Sequence, residues 1–269
     1  MIVVTGATGN IGRPLVAALA ARGEEVVALS RGEAEFPAGV THRKADLADS
    51  STLDAAFAGA DRMLLLPRSA NLDLTPVVKA AKAAGVKRIV LVSSQRAVTR
   101  EGADQDEPPV VESGLEWTLL RPGGFASNAY LWADSIRAER RFAAPFGDVG
   151  LPVVDPVDIA EVAAAALTED GHAGKAYVLT GPELITPRGQ AAAIAEAIGE
   201  PVEFVEQTRE EAAAAFGAYY PPEVVEGSLE VLGNPNEAEQ TVSGDVERVL
   251  GRAPHTFAAW AKRNAAAFR

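Results

Sequence analysis

The chain holds 269 residues with a mass of 28.0 kDa, 48% of them apolar and 23% charged. That is enough apolar material for one large domain, or one domain with a small lobe, and it excludes a dominantly disordered chain. A formal net charge of −12 and a pI near 4.8 supply no basic face for nucleic acid or an anionic membrane, and the absence of cysteine removes disulfides, thiolate nucleophiles and Cys-ligated metals.

The charge is unevenly spread. Residues 1–150 carry 17 basic and 18 acidic side chains, whereas 151–269 carry 8 and 19. The near-neutral first part can host a polyanionic cofactor without a large repulsive field. The acidic remainder disfavours a highly anionic substrate, or simply solvates the surface. No run reaches the ~18 apolar residues of a spanning helix, and no charged-then-apolar leader precedes the first strand. A cytoplasmic protein with neither a membrane nor a direct nucleic-acid partner is expected.

The β-branched run at 2–5 predicts a strand, and Ile11, Leu15, Ala18 and Leu19 recur at helical spacing over 11–22. Pro14 is tolerated in the first turn, where its missing N–H has no partner to lose, and Gly23 marks the stop. The same grammar continues with strands at 26–29, 40–44 and 62–66, a helix at 51–58 stopped by Gly59, a helix at 74–84 stopped by Gly85, and a strand at 88–93. A short helix ends at Ser113-Gly114, and a sixth strand covers 116–120. Strands alternating with helices of about ten residues need crossover connections and therefore a parallel sheet. The expected fold is α/β, Rossmann-like and doubly wound, with a small C-terminal substrate lobe.

Beyond Gly123 the pattern loosens to a helix at 155–167, strands at 176–180 and 202–205, and a helix at 188–198, with breakers at Pro221-Pro222 and 233–235. The expected organisation is a dinucleotide-binding core of 1–122, to which 151–180 returns. Segments 123–150 and 182–245 form the smaller lobe, and 246–269 is a C-terminal helix or tail.

Gly6-Ala7-Thr8-Gly9-Asn10-Ile11-Gly12 lies between a strand and a helix, the context that gives a glycine triplet meaning. Gly6 permits the tight turn, Gly9 lets the backbone approach a pyrophosphate, and Gly12 lets the helix pack closely on the strand. The helix N-terminus adds N–H groups and partial positive charge for phosphates. Where a carboxylate would bind a ribose 2′-hydroxyl, at the end of the second strand, stand Ser30 and Arg31, and Arg13 opens the first helix. Both arginines suit a 2′-phosphate, so NADP(H) is favoured over NAD(H).

These motifs are accompanied by Ala45-Asp46-Leu47, Gly59-Ala60-Asp61, the run 84–90 leading to Ser93-Ser94, and segments 117–122, 155–160 and 251–260. Together, in this order, they resemble the NmrA-like group of atypical short-chain dehydrogenases/reductases, which holds type 2 NADPH:quinone oxidoreductases and cofactor-sensing regulators. The resemblance covers most of the chain. It implies that Thr8, Gly9, Asn10 and Ile11 line the pyrophosphate, that Arg31 meets the 2′-phosphate, and that Asp46 and Leu47 lie beside the adenine. Leu66, Pro67, Ser93 and Ser94 would flank the ribose and nicotinamide. Segment 121–128 is similar to the stretch that borders nicotinamide and substrate, with Pro122 and Gly123 assigned to the cofactor. Gly124, Phe125, Asn128 and the nearby Tyr130 are assigned to a small aromatic or quinone-like substrate. A homodimer is left open.

One departure narrows the chemistry. Carbonyl reductases and sugar epimerases of the wider superfamily use Tyr-x-x-x-Lys, in which the lysine lowers the tyrosine pKa for proton transfer. Here Tyr130, Tyr177, Tyr219 and Tyr220 are followed four residues later by Asp134, Gly181, Glu223 and Val224, and no lysine lies between Lys87 and Lys175. Hydride transfer from NADPH to an electron-poor acceptor relies on positioning and needs no such pair. The alternative is a non-catalytic NAD(P) sensor acting through a protein partner.

Phe125, Tyr130, Trp132, Phe142 and Phe146 form one aromatic group and Tyr219-Tyr220 another, either lining a planar pocket or, for most of them, forming the lobe's own core. Ser93, Ser94 and Asn128 are candidates for polarising an acceptor carbonyl. His42, His172 and His255 lack ligand spacing, so neither a metal nor a catalytic histidine is expected. Glu210-Glu211 and 237–239 read as solvated helix faces, and Asp155 and Asp158 as caps at a helix start.

Overall fold

The computed structural model describes residues 1–67 and 72–269. In chain order its elements are β1 (Ile2–Val4), α1 (Gly12–Ala21), β2 (Val26–Ser30), β3 (Thr41–Lys44), α2 (Leu53–Phe57), β4 (Arg62–Leu65), α3 (Thr75–Ala83), β5 (Arg88–Val92), α4 (Arg96–Thr99), α5 (Pro108–Val111), β6 (Glu116–Pro122), α6 (Ala133–Glu139), β7 (Arg141–Pro145), α7 (Pro156–Thr168), β8 (Lys175–Leu179), α8 (Pro187–Ile198), β9 (Glu203–Gln207), α9 (Arg209–Gly217), α10 (Pro222–Gly233), α11 (Glu237–Gln240), α12 (Asp245–Leu250) and α13 (Phe257–Arg263). They form two compact units. The first comprises Met1–Pro122, Pro156–Leu179 and Asp245–Arg252; the second comprises Gly123–Asp155, Thr180–Gly244 and Ala253–Arg269.

The first unit is a seven-stranded parallel sheet in the order β3-β2-β1-β4-β5-β6-β8. Its central strands β1, β4 and β5 are apolar apart from the arginines that open β4 and β5, because both faces are covered. Val3, Leu29, Met63, Leu65 and Leu91 join Phe57, Val77 and Val110 from α2, α3 and α5 in one core cluster. The alternate residues Ile2, Val4, Val26, Leu64 and Val90 are equally buried and point to the opposite face, where α1 and α7 pack. Arg62 and Arg88 donate to the carbonyls of Leu167 (3.2 Å) and Glu169 (2.8 Å), placing cations at the end of α7 where its dipole favours them. The chain leaves β1 toward β2 and later returns on the other side as β4. That reversal opens a crevice at the carboxyl ends of β1 and β4. The fold is thus the doubly wound Rossmann-like sheet.

The second unit pairs β7 with β9 in parallel, Phe142 opposite Phe204, and builds its core from α6, α8 and α13 around Ile136, Phe142, Ile194, Trp260 and Phe268. β7 reads Arg-Phe-Ala-Ala-Pro, a run with little strand preference, and its partner lies about 60 residues on, so no local signal marks it. α9 and α10 also lie outside the sequence expectation. Pro221 and Pro222, taken as breakers, are the N-cap and first residue of α10, where a missing N–H costs nothing. Segment 246–269 is not one tail: α12 packs on α7 and β8, whereas α13 packs on α8. Residues 151–155 belong to the second unit, tied by Val154 N to Gly124 O at 2.8 Å and Ala126 N to Val154 O at 2.9 Å.

Two further readings are corrected. Tyr219 and Tyr220 are 75% and 46% exposed, so they are not part of the lobe's own core. Glu239 is buried because it closes a capping box with Asn236, whereas Glu211, which closes one with Thr208, stays exposed as expected.

Candidate dinucleotide site

The glycine turn leaves β1 and is held by backbone groups on both sides. Ala7 N donates to Leu29 O at 3.1 Å, and Gly9 N to Gly6 O at 2.9 Å. Thr5 Oγ1 accepts from Leu66 N at 2.8 Å, tying the ends of β1 and β4 together. Gly6 has φ +61°, and a Cβ there would come within 2.9 Å of Leu66 Cδ2. At Gly12 a Cβ would lie 2.2 Å from Gly6 O and 2.7 Å from Ala7 Cα. The close approach is therefore within the turn itself, rather than onto the strand. A Cβ on Gly9 would meet only Gly6 O, at 3.3 Å. Gly6 and Gly12 build the cradle, and Gly9 keeps it open. No side chain caps α1 and its first turn holds no acidic residue, so nothing there repels a phosphate.

Beside the turn lies a cavity of about 280 Å³ lined by the candidates Gly6, Thr8, Arg31, Asp46, Leu47 and Leu66. Thr5, Leu29, Ser30, Ala45, Ala48 and Leu72 complete it. The sequence reading assigned none of these to the cofactor. Ser30, Ala45 and Ala48 adjoin the assigned Arg31, Asp46 and Leu47 in the chain, and that adjacency was the available signal. Asp46 Oδ1 accepts from Ala48 N at 3.0 Å, which braces the part of the wall formed by residues 46–48.

The turn that carries Arg31 is braced. Ser30 Oγ donates its single proton to Gly32 O at 2.6 Å, so His42 Nε2, 2.8 Å away, is the donor to Ser30 Oγ. Phe36 packs on the His42 ring at 5.4 Å. His42 is thus a structural brace. Among the described residues Arg31 makes no side-chain hydrogen bond or ion pair, and no carboxylate occupies the ribose position at the end of β2. Arg13 Nε donates to Thr8 O at 3.1 Å, bracing the turn with one of its five N–H groups.

Ser93 and Pro122 lie at the carboxyl ends of β5 and β6 rather than in that cavity. Ser93 Oγ donates to Glu107 Oε1 at 2.7 Å, and Arg121 grips the same carboxylate through Nε (2.9 Å) and Nη2 (2.6 Å). Burial pushes the Glu107 carboxyl up, but the hydrogen bonds and charge of Arg121 with the Ser93 hydroxyl outweigh it and hold Glu107 below the usual range. Neighbouring Asp106 is held above its ordinary value by burial and by the Glu107 charge.

Gly123, Gly124, Phe125, Asn128 and Tyr130 belong to the second unit. Gly124 and Asn128 are exposed and Phe125 half-buried. Tyr130 stacks on Phe268, meets Trp260 at a tilt, and donates to Asn264 Oδ1 at 2.7 Å. Trp132 and Phe142 lie in the core at a ring separation of 4.3 Å, and Phe146 packs on the small cluster of Ala212, Val225 and Leu229. Asp155 and Asp158 do more than sit at a helix start: Asp155 pairs with Arg263, and Asp158 with Arg252 at 2.8 Å. Tyr177 meets His172 rather than a lysine, at 2.9 Å. Among the described residues no group of three His, Asp or Glu could hold a metal, and no helix is long and apolar enough to cross a membrane.

Comparison with known proteins agrees with this geometry. Residues 6–170 match the family described as NAD(P)H-binding. Over its whole length the chain is 36% identical to a (4-alkanoyl-5-oxo-2,5-dihydrofuran-3-yl)methyl phosphate reductase of Streptomyces griseus, covering 99% of it. An NAD(P)H azoreductase of Xenophilus azovorans is 34% identical, again over 100% of this chain and 99% of that protein. The NADPH complex of an Escherichia coli NADPH-dependent quinone oxidoreductase superposes with a TM-score of 0.79 at 27% identity, over 98% of this chain and 99% of that one.

Proposed function

This chain belongs to the NAD(P)H-binding family of oxidoreductases, close to the NmrA-like atypical short-chain reductases, and we propose that it uses NADPH to reduce a conjugated, electron-poor small molecule of the quinone type. The carrying observation is Arg31, an unpaired guanidinium on the wall of the cavity beside the glycine turn, with no carboxylate at the ribose position. A planar fork of that kind matches a 2′-phosphate.

The residues present fit a dinucleotide. The turn 6–12 would hold the pyrophosphate, Asp46 and Leu47 the adenine side, and Leu66, Ser93 and Pro122 the approach to the nicotinamide. The bound cofactor supplies a hydride, the two electrons and one hydrogen that an acceptor takes up. The chain's part is to orient the acceptor, and water supplies the remaining proton. The relatives' names share one chemistry: quinones, azo groups and a dihydrofuranone whose ring double bond carries two carbonyls are all conjugated acceptors. Such acceptors delocalise the incoming charge, which suits a site without Tyr-x-x-x-Lys. Gly124, Phe125, Asn128 and Tyr130 are the acceptor-side candidates.

The test is NADPH oxidation by the purified protein across quinones and other conjugated acceptors. Saturable, acceptor-dependent oxidation is expected. Replacing Arg31 by Ala should raise KM for NADPH about tenfold while leaving that for NADH unchanged. A sample that binds NADPH but oxidises it no faster with any acceptor would overturn the reductase reading in favour of a sensor.

A further inference from the structure

The arginines of the first unit are almost all spoken for. Arg62 pairs with Glu24 at 2.9 Å, Arg88 with Glu116 at 2.9 Å, Arg121 with Glu107 at 2.6 Å, and Arg252 with Asp158 at 2.8 Å. Arg43 donates to the carbonyls at the end of α2, and Arg13 to Thr8 O. Among the described arginines of this unit, Arg31 and Arg96 make no side-chain hydrogen bond or ion pair.

Arg96 is the odder of the two. Arg31 is exposed, whereas Arg96 is half-buried and its Nε is shut off from solvent with no hydrogen-bond partner. The other buried, unsatisfied side-chain nitrogen, Arg62 Nε, belongs to a guanidinium otherwise bound by Glu24 and Leu167 O. A charged donor taken out of water without a partner is unfavourable, and such a group in a native fold calls for a reason. Carboxylates are near in the chain, at Glu101, Asp104, Asp106 and Glu107, yet none pairs with Arg96. Glu107 is saturated by Ser93 and Arg121, and Asp106 is held above its ordinary value instead of being drawn down by a cation.

The place is informative as well. Arg96 follows the carboxyl end of β5, three residues after Ser93, and its backbone is fixed there by Ser94 Oγ accepting from Arg96 N at 3.2 Å and by Gln95 N donating to Pro122 O at 2.9 Å. In an open α/β sheet that edge is where ligands bind. From the unpaired, part-buried guanidinium at this edge we infer that Arg96 selects acceptors bearing one oxyanionic substituent, a sulfonate, carboxylate or phosphate, and pairs with it. This rests on the reductase reading. In a protein of net charge −12, a preference for an anionic acceptor has no general electrostatic origin, so a local cation has to supply it.

The experiment compares 1,4-naphthoquinone-2-sulfonate with neutral 2-methyl-1,4-naphthoquinone as acceptors for NADPH. The wild type should show the lower KM for the sulfonate. Arg96→Ala should raise that KM on the order of tenfold to a hundredfold, leaving the neutral quinone and the KM for NADPH within about twofold. Arg96→Lys should fall between, since it keeps the charge but loses the planar fork. Equal losses on both quinones, a raised KM for NADPH, or no change with the sulfonate would each overturn the inference. Arg96→Met, which keeps the side-chain stem, replaces the alanine variant if that one does not fold. Should no quinone turn over, the reductase reading fails separately. Equilibrium dialysis of the sulfonate against the NADP⁺-loaded protein then decides: tighter binding to wild type than to Arg96→Lys or Arg96→Met supports the anion site, and equal binding removes it.

Discussion

In the first unit, three glycines within seven residues shape the turn after β1, and the contacts that hold it are mainly backbone ones, from Gly6 O, Leu29 O and Leu64 O. In the second, Tyr130 and Asp155 find their partners on α13 and the segment that follows it, more than 100 residues away, at Trp260, Arg263, Asn264 and Phe268. The two regions differ in what a residue has to do. A turn that cradles phosphate asks only for missing Cβ atoms and free N–H groups, so its signature is short and local. A lobe assembled from side chains draws its meaning from distant partners.

The largest effect expected is on the ion pair at the ends of β5 and β6. Glu107→Ala strips the partner from a part-buried Arg121 and should cost about 3 kcal/mol in chemical denaturation. The same site gives a pH signature. Glu107 is lowered in the folded protein, so its contribution is fully present above the unfolded carboxyl value near pH ~4. It is lost as the pH falls through the lower folded value. Glu107→Gln should flatten the acid side of the stability curve there, and an unchanged acid limb would show that the pair does not stabilise the fold.

Gly12→Ala comes next. The added methyl cannot be placed 2.2 Å from Gly6 O without moving the turn, so about 2 kcal/mol of stability should go, in the range of core overpacking. Most NADPH binding measured by fluorescence titration should go with it. If affinity survives, the cradle is less dependent on backbone shape than the comparison between the units requires. Tyr130→Phe is the mildest. It keeps the ring on Trp260 and Phe268 and removes one hydrogen bond to Asn264, worth about 1 kcal/mol or less. A much larger drop in melting temperature would mean that the second unit, too, hangs on a single local contact.

Much of the first unit is legible in the chain. The strand–helix alternation, the glycine stops and the position of Arg31 follow from local periodicity and turn chemistry. The residues that escape such a reading do so for definite reasons. β7 has weak strand formers and is made a strand by β9. His42 shows no role in its spacing, and its bracing function emerges only when it and Gly32 O are seen to share the Ser30 hydroxyl. Glu239 looks solvated until Asn236 turns it into a cap.

Sequence alone therefore determined the parallel, doubly wound sheet, the glycine turn between β1 and α1 and the absence of a Tyr-x-x-x-Lys pair, because each depends on residues within one or two elements of each other. Tertiary structure decided which side chains are already engaged. Arg121 and Tyr130 are committed to protein partners, whereas Arg31 and Arg96 make no such contact among the described residues. Pairing is a matter of distance in space, which the order of residues along a chain does not specify.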